Sequence, residues 1–216
     1  MPLKLFVSIS LLLFTLLLFG ISKAQAVYVR AEQGNLYVVY SDSIEKQLTF
    51  TRNDEMPALS PSGKTVVFVR KSGRADVQKI AFLKVNIETM VETVIAEITG
   101  TVIADPITGG QRLKNIYFPR FLGTNSYVYF LKDEYYNATE LDRLNIDTGK
   151  LERLCSAGSF ELITKGIYAR SLFVSYWEIY RCTLIAQYKL IKAGGRIIKK
   201  FKSSEEAYAF LKNHQR

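Results

Sequence analysis

The chain has 216 residues, 48% of them hydrophobic, and 29 Lys and Arg against 20 Asp and Glu give a formal charge of +9. That length suffices for one domain with a real core. The single histidine, His214, is the third residue from the end, which leaves no internal partner for a Ser-His-Asp or Cys-His arrangement.

Residues 1–26 read as a signal peptide. Lys4 supplies a weakly positive start, and Leu5 to Ile21 is apolar apart from Ser8, Ser10, Thr15 and Gly20. Ala24-Gln25-Ala26 has the small-x-small form of a cleavage site. The alternative is an uncleaved anchor, because the uncharged run is near the ~17-residue lower limit for spanning a bilayer. No cysteine lies near this segment, which excludes lipid attachment at a cleaved N-terminal Cys. Export makes nucleic acid an unexpected partner, and the membrane is then met only transiently, through the signal peptide. Residues 27–216 are expected to form a single soluble domain with a charge of about +7 on the same count.

From Gly34 onward, short β-branched and aromatic runs alternate with turn residues, the pattern of an all-β domain. Leu36 to Tyr40, Gln47 to Phe50, Met56 to Leu59 and Thr65 to Lys71 are predicted strands. Ser60-Pro61-Ser62-Gly63 is a turn, in which Pro61 presets φ and Gly63 accepts positive φ. Val66 and Phe68 point to one face of the last strand, and Val67 and Val69 to the other. Two apolar faces imply a sheet stacked between neighbours. Lys79 to Asn86 and Thr93 to Ile98 complete the first copy.

Residues 99–114, with Gly100, Pro106, Gly109 and Gly110, read as an exposed loop. The pattern then returns. Phe118 to Leu122 repeats Met56 to Leu59, Tyr127 to Leu131 repeats Val66 to Val69, and Glu140 to Ile146 and Leu151 to Leu154 follow around the turn Asp147-Thr148-Gly149-Lys150. A third copy is predicted from Phe160 to Thr164, Ser171 to Trp177, Thr183 to Ile191 and Arg196 to Phe201, with Ala193-Gly194-Gly195 as its last turn. Ser204 followed by Glu205 and Glu206 predicts a short helix over 204–213.

The stretch Leu36 to Phe68, above all Met56-Pro57-Ala58-Leu59-Ser60-Pro61-Ser62-Gly63-Lys64, resembles the TolB-type β-propeller repeat. Leu59 takes the place of the usual Trp, and Ser62 that of the usual Asp. The likeness is good over one repeat, partial over Phe118 to Leu154, and poor after Phe160. It implies an all-β, small or partial propeller of about three to four four-stranded blades with a short C-terminal helix. It also implies a periplasmic or secreted protein that binds other proteins and has no catalytic centre. At ~40 residues per blade the chain holds about four blades, so it closes as a small ring, stays an open arc, or closes on a partner. An open arc leaves edge strands that invite a homo-oligomer.

No phosphate-binding glycine loop or Gly-x-Ser-x-Gly elbow occurs. The carboxylates lie mostly in predicted turns, so no metal and no cofactor are expected. Cys155 and Cys182 form an even pair that export would allow to bond, closing a loop worth ~3 kcal/mol; the other reading is two buried free thiols. Tyr135 and Tyr136 follow Asp133-Glu134 in a loop. Together with Arg120 and the basic terminal strand, Lys199 and Lys200 above all, they are the candidate binding residues. In the cluster Tyr176 to Arg181, alternate members are expected to fill the core. The leading expectation is an exported, non-catalytic scaffold that engages a protein or envelope component. The alternatives are an accessory propeller that gates or presents substrate for a separate peptidase, and a glycan-binding propeller.

Overall fold

The computed structural model describes residues 26–73, 79–99, 102–104, 111–113, 115–133, 139–180 and 183–214. The predicted signal peptide, apart from Ala26, lies outside them, as do Tyr135, Tyr136 and Cys182.

Three antiparallel four-stranded sheets follow one another along the chain. Blade 2 is β4 (Asp54–Leu59), β5 (Thr65–Ser72), β6 (Lys79–Asn86) and β7 (Glu92–Thr99). Blade 3 is β10 (Ile116–Phe121), β11 (Tyr127–Asp133), β12 (Thr139–Asn145) and β13 (Leu151–Ser156). Blade 4 is β14 (Ser159–Ile163), β15 (Ser171–Tyr180), β16 (Thr183–Lys192) and β17 (Ile197–Phe201). Before them comes a three-stranded blade 1 of β1 (Ala26–Glu32), β2 (Asn35–Tyr40) and β3 (Glu45–Gln47). The helix α1 (Ser204–His214) closes the chain, one residue longer than its sequence implies. The architecture is that of a partial β-propeller.

One expectation needs correction, and one strand was not anticipated. Residues 99–114 are not simply loop: β8 (Val102–Ala104) and β9 (Gln111–Leu113) pair as a two-stranded ribbon. A strand also precedes Gly34, since β1 pairs with β2 from Ala26 opposite Tyr40 to Glu32 opposite Asn35. Its Arg30 is paired with Glu32 and Glu45, so the outer face of blade 1 carries ions rather than an apolar stripe.

The alternation in β5 stacks the blades. Val66 and Phe68 are fully buried against Leu36 and Val38 of blade 1. Val67 and Val69 are fully buried against Val128 and Phe130 of blade 3. Tyr129, Leu131 and Leu141 then meet Leu172 and Val174 of blade 4. On the far side of blade 4, Ile163, Phe173, Leu190 and Phe201 are covered by Ala207 and Leu211 of α1. The helix therefore covers the face that, in blades 2 and 3, the next blade covers.

Two sequence signals recur as backbone geometry. Met56 and Phe118, each before a proline, both have φ of +53°, and the ladder slips at both places. Proline offers no N–H to the ladder, so a bulge absorbs it. The second pair is Asn86-Ile87-Glu88-Thr89 and Asn145-Ile146-Asp147-Thr148. Asn86 Oδ1 accepts from the N–H groups of Glu88 and Thr89 at 2.9 and 3.0 Å, and Asn145 Oδ1 from those of Asp147 and Thr148 at 2.9 Å each. Asn145→Ala removes two such bonds and is expected to cost about 1–2 kcal/mol, measured by denaturant unfolding. A loss under ~0.3 kcal/mol would show that water serves those N–H groups equally well.

Blade 1 is the outer part of a blade. The Gly34 carbonyl accepts from Asp54 N–H at 2.9 Å, so the β1–β2 turn lies at the start of β4. β1 therefore runs opposite to β4, whereas β4 and β10 run the same way and lie side by side. By direction, β1, β2 and β3 match β5, β6 and β7. Among the described residues no strand pairs with the other edge of β1.

Candidate functional site

One end of the stacked blades, here the upper end, gathers the tight turns. In blade 2 the Ser60 amide donates to Thr65 O at 2.8 Å, Gly63 to Ser60 O at 2.9 Å, and Thr65 N–H to Ser60 Oγ at 3.1 Å. Gly63 has φ of +68°, as its turn requires. The equivalent turn of blade 3 reaches back: Asn125 Oδ1 accepts from the Ser62 amide at 3.1 Å. Ile87 N–H bonds Lys64 O at 3.0 Å and Ile146 N–H bonds Ser126 O at 2.9 Å, which ties the two turns within each blade.

A joint made by cations runs across this end. Lys46 Nζ donates to Ile87 O at 3.0 Å, Lys84 Nζ to Ile146 O at 3.0 Å, and Arg143 Nη1 to Ala193 O at 3.1 Å. Each donor sits in one blade, and each acceptor is the same turn position of the next. Lys84 and Arg143 both stand two residues before their turn asparagine. In blade 1 that place is Val38, and Lys46 acts from directly opposite it. In blade 4 the place is Leu190, fully buried under α1. The cation ends where the carbonyl to receive it ends.

Between the upper ends of blades 2 and 3 lies a cleft of about 510 Å³, lined by Thr65, Lys84, Asn86, Thr93, Asn125 and Asp147 among others. It mixes hydroxyls, amides, one ammonium and one carboxylate with the apolar Val91 and Ile146, on hairpin turns fixed by the bonds above and on the strand ends beside them. Such a site suits a polar ligand or a partner's loop.

Among the described residues, those singled out in the sequence do not converge. Arg120 is exposed on β10, opposite Tyr129 and near Phe118, which is 58% exposed. Lys199 and Lys200 lie on β17, the outermost strand of another blade. Lys199 is occupied, bonded to Glu206 at 2.8 Å and lying over the Phe201 and Phe210 rings, so it fastens α1. That contact holds the Glu206 carboxyl below its ordinary range. Tyr176 is half-buried with Lys189 over its ring, while Trp177 is 62% exposed. The cleft was missed because its residues come from separate turns and the strand ends beside them; the paired asparagine turns were the signal available.

His214 is not frayed. It stacks on Phe210 at 4.2 Å and meets Tyr168 edge-on at 5.1 Å. Cys155 is a free thiol on β13, and burial pushes it up against the opposing influence of Lys189. Alkylation of the Cys155 peptide, followed by mass spectrometry at mildly alkaline pH, is expected to lag well behind free cysteine. Equal rates would show an open thiol. Lys132, Glu140, Asp142 and Arg153 form a charge-balanced cluster within blade 3. Asp142 Oδ2 accepts from Lys132 at 2.8 Å, and its Oδ1 has no hydrogen-bond partner among the described residues. Among the described residues no three His, Cys, Asp or Glu gather as metal ligands.

No protein-family model matches the chain, and no curated protein sequence does. Solved structures do. TolB from Acinetobacter baumannii is similar at 16% identity and a TM-score of 0.51, over 88% of this chain and 46% of that one. The β-propeller domain of the Trilobed protease from Pyrococcus furiosus, described as having an open velcro topology, gives 13% and 0.54, over 82% of this chain and 57% of that one. Porphyromonas gingivalis dipeptidyl peptidase 4 gives 10% and 0.54, over 82% of this chain and 31% of that one. The chain thus spans between a third and just over half of these proteins, and what it shares with them is the TolB-like β-propeller fold.

Proposed function

We propose that this is an exported, non-catalytic binding module, periplasmic or secreted, that engages a protein or envelope component through the upper ends of its blades. The observation that carries the reading is the cleft between blades 2 and 3, whose polar side chains stand on turns locked by side-chain and backbone bonds. A ligand meeting such turns orders little of the protein, so contact converts into affinity at low entropic cost. Two buried carboxylates of blades 2 and 3 are held in ion pairs, Asp54 with Arg70 and Asp142 with Lys132. Such pairing supports a role for them in the fold.

The test is to fill the cleft. Thr93→Arg and Asp147→Arg add bulk and positive charge at exposed positions and should leave the fold intact by circular dichroism. Photo-crosslinking from Asn125 in intact cells should capture a defined set of envelope proteins with the wild type. Each cleft variant is expected to lower that capture at least tenfold. Unchanged capture would overturn the cleft as the binding site.

A second reading is favoured by the likeness to the peptidases. In it, the chain is an accessory propeller for a hydrolase encoded elsewhere, gating or presenting its substrate. Co-purification of peptidase activity that depends on the same cleft residues would select it over the scaffold reading. Pairing of chains through the free edge of β1 would appear as a dimer in light scattering.

A further inference from the structure

The positive charge of this protein is not spread over its blades. Residues 26–158 contain 16 Lys and Arg and 16 Asp and Glu, whereas residues 159–216 contain 11 and 4. Within blade 4 the segregation is sharper: residues 162–177 and 189–204 carry eight Lys and Arg and no acidic residue.

Three separate segments bring part of this charge to one place. Ser171 pairs with Lys192, so the loop 164–170 and the turn 193–196 share the upper end of blade 4. Tyr168 of that loop contacts Phe210 and His214, which places the last turn of α1 there too. Lys165, Arg170, Lys192, Arg196 and Lys212 are all exposed at this end. None of the five takes part in an ion pair among the described residues; in the other blades Arg30, Arg70, Lys71, Lys132, Arg143, Lys150 and Arg153 do, while Arg52, Lys64, Lys79 and Arg120 do not. Between Lys165 and Arg170 stands Ile167, 87% exposed beside Gly166, which has open space around it.

We propose that the upper end of blade 4 docks on an anionic phospholipid bilayer, with Ile167 entering the interface and the five cations lying over the headgroups. This rests on the reading of the protein as an envelope-facing binding module, and it assigns the lipid surface as one of the things bound. Cations near an anionic surface attract additively, and no acid in the flanking segments opposes them. A lone aliphatic side chain at a loop tip adds a short-range contact that a free polyanion would not reward. The upper end also holds the cleft, so docking would place that cleft facing the membrane.

The test is sedimentation of the protein recovered from exporting cells, its N-terminus read by mass spectrometry. Vesicles are phosphatidylcholine alone or mixed with phosphatidylglycerol. The protein is expected to bind the mixed vesicles, to bind the neutral ones far less, and to be released by high salt. Lys192→Ala with Arg196→Ala should weaken binding about 30-fold. Ile167→Ser should weaken it about tenfold. Lys79→Ala, an exposed cation at the lower end of blade 2, should change nothing. Equal binding to both vesicle types, binding to neither, or an unaffected Lys192/Arg196 variant overturns the proposal. So does binding to soluble polyphosphate as strong as to vesicles and indifferent to Ile167→Ser. Failure on vesicles with cleft-dependent capture of an envelope protein retained would reject the lipid assignment alone and leave the binding-module reading standing.

Discussion

Arg70→Met is expected to destabilise the protein by about 3–5 kcal/mol, the loss that follows when one partner of a buried pair is removed. Asp54 is 1% exposed, and Arg70 holds it through two bonds, Nε to Oδ1 at 2.6 Å and Nη2 to Oδ2 at 3.0 Å. Thr51 Oγ adds a third bond to Asp54 Oδ2 at 2.8 Å. The Asp54 hydrogen bonds are the main reason the Arg70 guanidinium is held above its ordinary range. Methionine keeps the aliphatic stem over Phe68, which the guanidinium caps at 5.4 Å, but strands the carboxylate. The double variant Asp54→Asn with Arg70→Met should recover most of the loss, since no buried charge is then left alone. Urea midpoints of the two variants check this. A single variant within 1 kcal/mol of wild type, or a double variant no better than the single, would show that the pair does not anchor the innermost strand of blade 2.

The stacking of the sheets was legible because it is written locally. Val66, Phe68, Val67 and Val69 fill both faces of β5, and only a sheet with neighbours on both sides can bury both. The turn at Ser60 to Gly63 was legible for the same reason, since Pro61 and Gly63 set their own φ. β1 was not legible because its outer face is ionic: Arg30 pairs with Glu32 and with Glu45 of β3, so the strand lacks the apolar alternation that marks its neighbours. The β8–β9 ribbon was hidden by the glycines and proline of residues 99–114, which favour a loop when taken one at a time. The candidate site was largely invisible. A lysine on a strand that serves a carbonyl in the next blade leaves no mark in its own neighbourhood. What can be seen afterwards is a spacing, a cation two residues before Asn-Ile-Glu-Thr and again before Asn-Ile-Asp-Thr. The charge of the terminal segment was plain in the sequence, but which of its cations are spent within the fold was not. Lys199 is spent on Glu206, and the unpaired cations lie in the loop, the turn and the helix end.

Leu190→Lys tests that account of the joints most severely. Leu190 pairs with Phe173 as Lys84 pairs with Val67 and Arg143 with Tyr129, so by register it is the same position. A rule based on repeats alone would restore the cation at no cost. The packing says otherwise, because Leu190 is fully buried with Ile163, Phe173, Ala207 and Leu211 around it, and α1 offers no free carbonyl from its middle turns. An ammonium there is unpaired and desolvated, so the variant is expected to lose at least about 4–5 kcal/mol or to release the helix. Loss of α1 protection in hydrogen exchange, with blades 2 and 3 still protected, would distinguish release of the helix from global unfolding. The reciprocal change is mild by comparison. Lys84→Leu removes one bond to Ile146 O at a half-buried position and should cost about 1–2 kcal/mol. If Leu190→Lys proved as mild as Lys84→Leu, α1 would not be seated on blade 4, and the face it covers would be open to a further blade or a second chain. If the asymmetry holds, the helix ends the series of blades on that side.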